Sequence, residues 1–302
     1  MIRKVVGSAL ILVLIPSFIS NFYLKNMVVD ETLDNHVIKV KQVSKNEIVE
    51  LNLEDYLIGV LAGEMPISFE EEALKAQAVV ARTYALKRVK EDNVYDVVDT
   101  TKNQVYLDDE YLIRAWGNNY KKNMQKIKKA ISETSHECIF YDDKLIDALF
   151  FSTSVGATEN SEEIFKNNLP YLRSVSSTWD ETVSPVFTEN YTFKLDNFYK
   201  LLNLPFSKDL NIEKISVTST GRIKEIKING VKFTGQKIQQ LLKLRSNYFS
   251  ITKIGDSIKI VTKGYGHGVG MSQYGANGMA KEGYSYKEII DHYYKDVEVK
   301  KI

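Results

Sequence analysis

The residue of this sequence best suited to acid–base chemistry is Glu64, which ends a stretch of helical periodicity. Leu57, Val60 and Glu64 follow one another at intervals of three and four residues, so on a helix they share one face. A carboxyl group that continues an apolar face loses water, which raises its pKa. It then keeps its proton near neutral pH and can act as a general acid. A cap of the helix or an ion pair with Lys75 or Arg82 is the alternative role.

The segment GYGHGVG, which we call the glycine loop (264–270), places a glycine at every second position and His267 at its centre. Glycine lets another backbone or a flat ligand approach closely. The loop lacks the lysine of a P-loop and does not match GxGxxG, which disfavours a nucleotide phosphate site. We expect a loop that lies against a flat ligand with His267 at its apex. A tight structural turn with an exposed histidine is the alternative.

Hydroxyl side chains are clustered in FFSTSVGATEN, which we call the serine segment (150–160). No GxSxG motif supports a serine nucleophile, so Ser152 and Ser154 are interpreted as ligand-binding or loop-forming residues. Most glycosidases use a pair of carboxyl groups. Glu159 and Asp180 are candidates for the second one, but the sequence does not show whether either lies beside the first.

Composition disfavours several kinds of partner and cofactor. The 302 residues include 40 lysines and arginines and 39 aspartates and glutamates, a formal net charge of +1 that disfavours a nucleic-acid partner. Cys138 is the only cysteine, so no intrachain disulfide can form. Together with His136 it offers two metal ligands, fewer than a zinc site needs. We therefore predict no metal and no other cofactor.

The N-terminus has the pattern of a membrane anchor. Arg3 and Lys4 precede a stretch from 5 to 24 that has no charged residue and is long enough to cross a bilayer as a helix. Positive charge at the start favours a cytoplasmic N-terminus. We expect a single-pass protein of the cell membrane, anchored through residues 1–25, with the remainder outside the cytoplasm. A cleaved signal peptide is the alternative.

Capping signals predict the elements that must hold these groups. Asn52 is placed to cap a helix, and Pro66 disfavours helical geometry at the residue before it, so this helix ends at Glu64. Ser68 and Glu71 have the spacing of a capping box that opens a second, alanine-rich helix. We predict an α+β fold, with one composite domain whose helical core surrounds this corner. Its parts are a linker and first strand at 26–48, the domain itself at 49–302, a basic helix at 120–134 and a strand-rich subdomain at 189–262.

Five segments of the chain together are similar to one protein family. They are, in chain order, GEMPISFEEEALKAQAVVARTYAL, NQVY, ALFFSTSVGATENSEE, YLRSVSSTWD and GYGHGVGMSQYGANGMAKEG. From about residue 38 to 297 the sequence resembles the stage II sporulation protein D family, which includes amidase enhancers. Five separate motifs in the expected order are far more specific than one short pattern.

The resemblance implies a membrane-anchored lytic transglycosylase that degrades peptidoglycan during engulfment of the forespore. Such enzymes cleave the MurNAc–GlcNAc bonds of glycan strands and leave 1,6-anhydro-MurNAc ends. The implied partners are glycan strands stripped of peptides, the amidase SpoIIP that strips them, and other proteins of the engulfment complex. The resemblance places the catalytic acid in the EMP motif, at Glu64. The positions that it implies for glycan binding are Lys75, Arg82, Gln104, Ser152, Ser154, Tyr171, His267, Gln273 and Tyr274.

Two positions depart from the pattern of the family. Phe151 stands where many relatives have a histidine, and Val155 where they have a glycine. Some relatives bind zinc near this segment through cysteine and histidine, so the departure agrees with the absence of a predicted metal. A non-catalytic glycan-binding protein that activates an amidase is the alternative function.

Overall fold

Residues 36–302 are described by the computed structural model. The predicted membrane helix (5–24) and the first part of the predicted linker (26–35) lie outside the described residues. Between residues 36 and 302, no helix is both long enough and apolar enough to span a membrane. Helices alternate with several small sheets along this part of the chain, which confirms the α+β class.

The helical body begins with a hairpin that leads directly into the helix bearing Glu64. Asn52 caps this helix by accepting a hydrogen bond from the Glu54 N–H at 2.9 Å, and Met65 has extended backbone before Pro66. Both helix boundaries agree with the sequence prediction. In chain order the elements of this part are β1 (Val37–Gln42), β2 (Glu47–Asn52), α1 (Leu53–Glu64), α2 (Glu71–Leu86), β3 (Val97–Val98), α3 (Asp109–Trp116), a 3₁₀ turn (Gly117–Asn119), α4 (Tyr120–Glu133), β4 (Glu137–Tyr141), β5 (Lys144–Leu145), β6 (Phe150–Phe151), α5 (Ser161–Ile164) and α6 (Trp179–Val183).

The start of α2 is not capped as its sequence pattern predicts. The helix begins at Glu71 behind Glu70, whose side chain makes no capping hydrogen bond, and Ser68 lies in the preceding turn. The Glu70 N–H instead donates to Asn277 Oδ1 at 2.8 Å, so a side chain from the far end of the chain satisfies this helix terminus. From there α2 runs through the centre of the helical body, and its alanine-rich surface lets α1, α4 and β4 pack against it.

The middle of the chain forms a strand-rich subdomain with its own hydrophobic cluster. Two antiparallel three-stranded sheets, in the strand orders β10-β9-β8 and β11-β12-β7, cover a core that includes Phe198, Ile226 and Ile258. The elements are β7 (Thr188–Lys194), α7 (Leu195–Leu201), β8 (Ile212–Val217), β9 (Ile223–Ile228), β10 (Val231–Thr234), α8 (Gly235–Leu242), β11 (Phe249–Ile254) and β12 (Ser257–Lys263).

The chain then returns to the helical body through the glycine loop. The short strand that follows this loop pairs in parallel with β6, and the last strand pairs antiparallel with β4. This return brings the glycine loop and the serine segment together beside the end of α1. The closing elements are β13 (Met271–Ser272), α9 (Gln273–Lys281), α10 (Tyr286–Tyr293) and β14 (Glu298–Lys301).

Candidate active site

A cavity of about 820 Å³ lies between the end of α1 and the glycine loop. Its wall combines aromatic rings with a few polar side chains, which is the composition expected of a ligand site. Glu64 lies in this wall, as do several residues that the sequence placed in the same site. The lining comes chiefly from the segments 62–66, 101–103, 149–152, 265–267 and 273–274, with Tyr84, Val105, Phe165 and Val186.

Glu64 is held largely away from water. Its Oε1 accepts a hydrogen bond from the Val105 N–H at 2.6 Å, and its Oε2 lies 3.5 Å from Gln273 Nε2. Burial raises the pKa of Glu64 above its ordinary value, and these two hydrogen bonds oppose the rise only in part. Lys75 and Arg82 are paired with other carboxylates, so neither forms the ion pair with Glu64 that the sequence left open. The carboxyl therefore has the character of a general acid.

Two glycines of α1 create the contact between Glu64 and Val105. A Cβ added at Gly63 would lie 2.7 Å from the Val105 carbonyl oxygen, and one at Gly59 would lie 2.5 Å from the Leu107 carbonyl oxygen. Both distances are too short for a side chain. Only glycine therefore lets the segment 105–107 lie flat on α1, where the Leu107 N–H donates to the Gly59 carbonyl at 3.2 Å.

Replacing Gly63 by alanine is expected to destabilise the protein, although Gly→Ala inside a helix ordinarily stabilises it by about 0.5–1 kcal/mol. The new methyl group must displace the backbone at Val105, and such overpacking costs about 1–3 kcal/mol. The displacement also removes the N–H that binds Glu64. The midpoint of urea unfolding measures the effect, and an unchanged or higher midpoint for Gly63→Ala contradicts this account of the corner.

The first half of the glycine loop lies against the serine segment. Thr153 and Tyr265 exchange backbone hydrogen bonds at 3.0 and 2.8 Å. Gly266 has a φ of +101°, and a Cβ there would lie 2.9 Å from the Phe151 Cβ. Because each of these loop positions requires glycine for space and for a left-handed backbone, the alternating pattern serves close contact with protein as well as with a ligand.

His267 contributes a neutral ring to the cavity. Its Nδ1 accepts a hydrogen bond from the Val269 N–H at 3.1 Å, and its ring centroid lies 5.6 Å from that of Phe151 and 5.5 Å from that of Phe165. Burial, together with the nearby charge of Arg222, lowers the pKa of His267 to about 4. The histidine is therefore uncharged near neutral pH and offers a flat surface for contact.

The two other carboxyl groups considered from the sequence lie elsewhere. Asp180 is fully buried and accepts hydrogen bonds from Ser154, Ser177 and Ser272. Glu159 is also fully buried, 3.2 Å from Arg222 Nε. Neither lines the cavity, and within residues 36–302 Glu64 is the only carboxyl group in its wall.

Comparison with known proteins agrees with the motifs. A family profile, SpoIID (stage II sporulation protein), matches residues 41–141. The chain is 40% identical to stage II sporulation protein D of Bacillus amyloliquefaciens, over 87% of this chain and 78% of that protein. The chain belongs to the stage II sporulation protein D family. The protein of the same name from Bacillus subtilis is 38% identical over the same shares, and the amidase enhancer of Bacillus subtilis is 29% identical over 79% of this chain and 39% of the enhancer.

Four of the nine glycan-binding positions implied for a SpoIID protein line the cavity with Glu64. They come from three segments: Ser152 from the serine segment, His267 from the glycine loop, and Gln273 and Tyr274 from the start of α9. The backbone joins the first of these segments to the last, since the Tyr274 N–H donates to the Ser152 carbonyl at 3.0 Å. These four residues remain the candidates for contact with substrate.

Two of the remaining positions form ion pairs inside the SpoIID body and do not line the cavity. Lys75 Nζ lies 2.5 Å from a Glu133 carboxylate oxygen and 2.8 Å from one of Glu72. Arg82 is fully buried and makes two hydrogen bonds, at 2.6 and 2.7 Å, to the carboxylate of Glu54. Both side chains join α2 to its neighbours, so their role in this structure is to hold the helical body together.

The last three positions are also bound within the protein. Gln104 donates to a carbonyl of α2 at 3.3 Å, Ser154 donates to Asp180 at 2.9 Å, and the Tyr171 hydroxyl accepts from the Asp147 N–H at 3.1 Å. None of the three lines the cavity. They support the segments that form the site without facing it.

Sequence reasoning missed several residues of the cavity wall. Phe165 and Tyr265 are large aromatic residues that remain 43% and 45% exposed at the cavity. Lys102 directly precedes the NQVY motif, and Asn103 is the first residue of that motif. Tyr265 lies within the glycine loop and Asn103 within the NQVY motif, so the sequence singled out their segments but not these two residues. Nothing in the sequence distinguished Phe165 or Lys102 from ordinary surface residues.

Proposed function

We propose that this chain is a peptidoglycan lytic transglycosylase that cleaves MurNAc–GlcNAc bonds in peptide-stripped strands and leaves 1,6-anhydro-MurNAc ends. The observation that carries the proposal is the single buried carboxyl group, Glu64, in the wall of an open cavity. We further propose that the N-terminal segment anchors the protein in the cell membrane with the domain outside. The proposed partners are the glycan strands, the amidase SpoIIP and other proteins of the engulfment complex.

The reaction follows from the two oxygens of Glu64. Oε1 accepts a short hydrogen bond from the Val105 N–H at 2.6 Å, whereas the contact of Oε2 with Gln273 is long, at 3.5 Å. Oε2 is therefore assigned the proton of the neutral carboxyl. Glu64 gives this proton to the glycosidic oxygen as the bond to C1 of MurNAc breaks and positive charge develops on the sugar. The carboxylate then takes the proton of the C6 hydroxyl, whose oxygen bonds to C1 and closes the anhydro ring. No water is consumed.

A single acid suits this reaction better than hydrolysis. Hydrolysing glycosidases use two carboxyl groups, about 5–5.5 Å apart in retaining enzymes and about 6.5–9.5 Å apart in inverting ones. Glu64 is the only carboxyl group in the described part of the cavity wall. An internal hydroxyl nucleophile removes the need for the second carboxyl, because the sugar supplies the attacking oxygen.

The test is to incubate the full chain with peptide-free glycan strands and to identify the new ends by mass spectrometry. We expect 1,6-anhydro ends, which are lighter by one water than reducing ends. Reducing ends as the main product would show hydrolysis and would overturn the transglycosylase mechanism. Strands that are bound but not cut would favour the second candidate function.

That second candidate is a non-catalytic glycan-binding activator of an amidase. It is favoured by the 29% identity to an amidase enhancer and by Phe151, which lines the cavity where many relatives have histidine. Adding the chain to SpoIIP and intact peptidoglycan separates the two hypotheses. Equal stimulation of peptide release by wild type and Glu64→Gln supports the activator, whereas anhydro ends made only by wild type support the enzyme.

Cleavage is expected to decline as pH rises through the raised pKa of Glu64. Burial raises this pKa above the ordinary 4.5, so the proton-donating form persists to higher pH than in an exposed glutamate. The rate should be highest below the raised pKa and fall as Glu64 ionises. Initial rates of anhydro-end formation from about pH 4 to pH 9 measure this, and a rate that climbs through neutrality contradicts the assignment.

A further inference from the structure

The cavity wall contains very few charged groups. Among the described lining residues only Glu64 and Lys102 are acidic or basic side chains, apart from His267, which is neutral near pH 7. The pKa of Glu64 is raised by burial, so this group is biased toward its uncharged form. Apart from Glu64, Lys102 is therefore the only formally charged side chain among the described lining residues, and its charge is positive.

The backbone that carries Lys102 is fixed to the acid. Asn103 accepts a hydrogen bond from the Val98 N–H at 3.0 Å and donates to the Tyr84 hydroxyl at 3.2 Å. Two residues further on, the Val105 N–H binds Glu64. Three residues of chain span at most about 10 Å, so Lys102 and the acid face the same short stretch of a bound ligand.

No carboxylate of the described chain forms an ion pair with the Lys102 ammonium group. Other lysines of the helical body do pair in this way, for example Lys129 with Glu71 at 2.6 Å and Lys45 with Asp108 at 3.0 Å. The side chain of Lys102 is exposed beside the cavity. It is therefore available to an anionic group of a ligand.

Peptidoglycan offers such a group in only one of its two sugars. MurNAc carries a lactyl ether that ends in a carboxyl group, whereas GlcNAc has no acid. While a peptide is attached this carboxyl is an uncharged amide, and when the peptide has been removed it is a free carboxylate. A cation in the cavity wall distinguishes these states, because it is attracted by the negative charge of the carboxylate, which the amide lacks.

We propose that Lys102 binds the lactyl carboxylate of a peptide-free MurNAc and so makes the site selective for stripped strands. This deepens the proposed function, since it assumes that the cavity holds the glycan. The site would then prefer a substrate whose peptide has already been released by an amide-cleaving enzyme. Chitin-like strands, which have no lactyl group, would bind more weakly for the same reason.

The experiment compares two forms of one ligand. Peptide-free strands are used directly or after chemical reduction of their carboxyl groups to alcohols, and their binding to the full chain is measured by fluorescence anisotropy. Wild type should bind the charged strands about 2- to 5-fold more tightly than the reduced ones, an effect of the size expected for a solvent-exposed charge pair. Lys102→Gln should bind both forms equally, and Lys102→Arg should keep the preference.

Lys121→Gln is the matched control, because it removes the same charge from an exposed position on α4 outside the cavity. It should behave as wild type. If Lys102→Gln keeps the preference, or if the chain binds neither form of the strand, the proposal is wrong. Cleavage is scored separately by the ends produced. A preference that depends on Lys102 in a chain that cuts nothing would overturn the enzyme and leave the carboxylate site standing.

Discussion

Glu64→Gln is expected to lower the rate of anhydro-end formation by about 10²- to 10⁴-fold, the range that one general acid contributes. Glutamine has the shape of glutamate, and its carbonyl oxygen can still accept the hydrogen bond from the Val105 N–H. Its amide cannot give a proton to the glycosidic oxygen or take one from the C6 hydroxyl. The variant should therefore bind strands as wild type does while losing turnover.

The same substitution should leave the protein as stable as before, or more stable. Burial penalises the charged form of Glu64, and a neutral amide avoids that cost as the acid ionises. Urea unfolding of both proteins above neutral pH measures this. Glu110→Gln, on the exposed surface of α3, is a control that should leave the rate unchanged and should cost no more than about 0.5 kcal/mol, the value of its exposed pair with Arg114. Wild-type turnover by Glu64→Gln would remove Glu64 from the mechanism.

The sequence was most informative where local rules determine the structure. Asn52 and Pro66 set the ends of α1 through capping and through the geometry of the residue before proline, and neither effect depends on distant contacts. The periodicity of α1 then brings Glu64 to the end of an apolar face. For this reason the acid and the corner that holds it could be predicted without coordinates.

Contacts between distant segments could not be predicted in the same way. Lys75 and Arg82 lie on a helix that is surrounded by protein, so the sequence could not show whether they face the cavity or a carboxylate of a neighbouring element. Their partners, Glu133 and Glu54, are 58 and 28 positions away. The predicted capping box of α2 is wrong for a similar reason. The N–H before this helix, that of Glu70, donates to Asn277, which is far away in the sequence.

The glycine loop illustrates how a correct motif can be explained incompletely. Its alternating glycines predicted close approach, but the groups that approach include the side chain of Arg222 and the backbone of the serine segment. Arg222 comes from the strand-rich subdomain, next to the start of β9, and its Nη1 donates to the Gly266 carbonyl at 2.9 Å. The subdomain thus holds the loop that carries His267.

The buried pair of Arg222 and Glu159 is one link between the subdomain, the serine segment and the glycine loop. Both side chains are fully buried, with Nε and a carboxylate oxygen 3.2 Å apart. Arg222 also donates to Asn247 Oδ1 at 3.0 Å, and the Glu159 N–H donates to the Gly268 carbonyl at 2.7 Å. Burial lowers the pKa of Arg222 to about 10, which still leaves it charged at neutral pH. The Arg222 side chain and the Glu159 backbone thus bind two nearby carbonyls of the glycine loop, those of Gly266 and Gly268.

Arg222→Met is therefore expected to destabilise the protein by about 3–5 kcal/mol, the usual cost of leaving one buried charge without its partner. Arg114→Met, which breaks an exposed pair with Glu110 on α3, is the matched control and should cost about 0.3–0.5 kcal/mol. Urea unfolding measures both values. The double variant Arg222→Met with Glu159→Gln should recover part of the loss, because no buried charge then remains unpaired. If Arg222→Met costs no more than the control, the pair does not hold the loop, and the position of His267 needs another explanation.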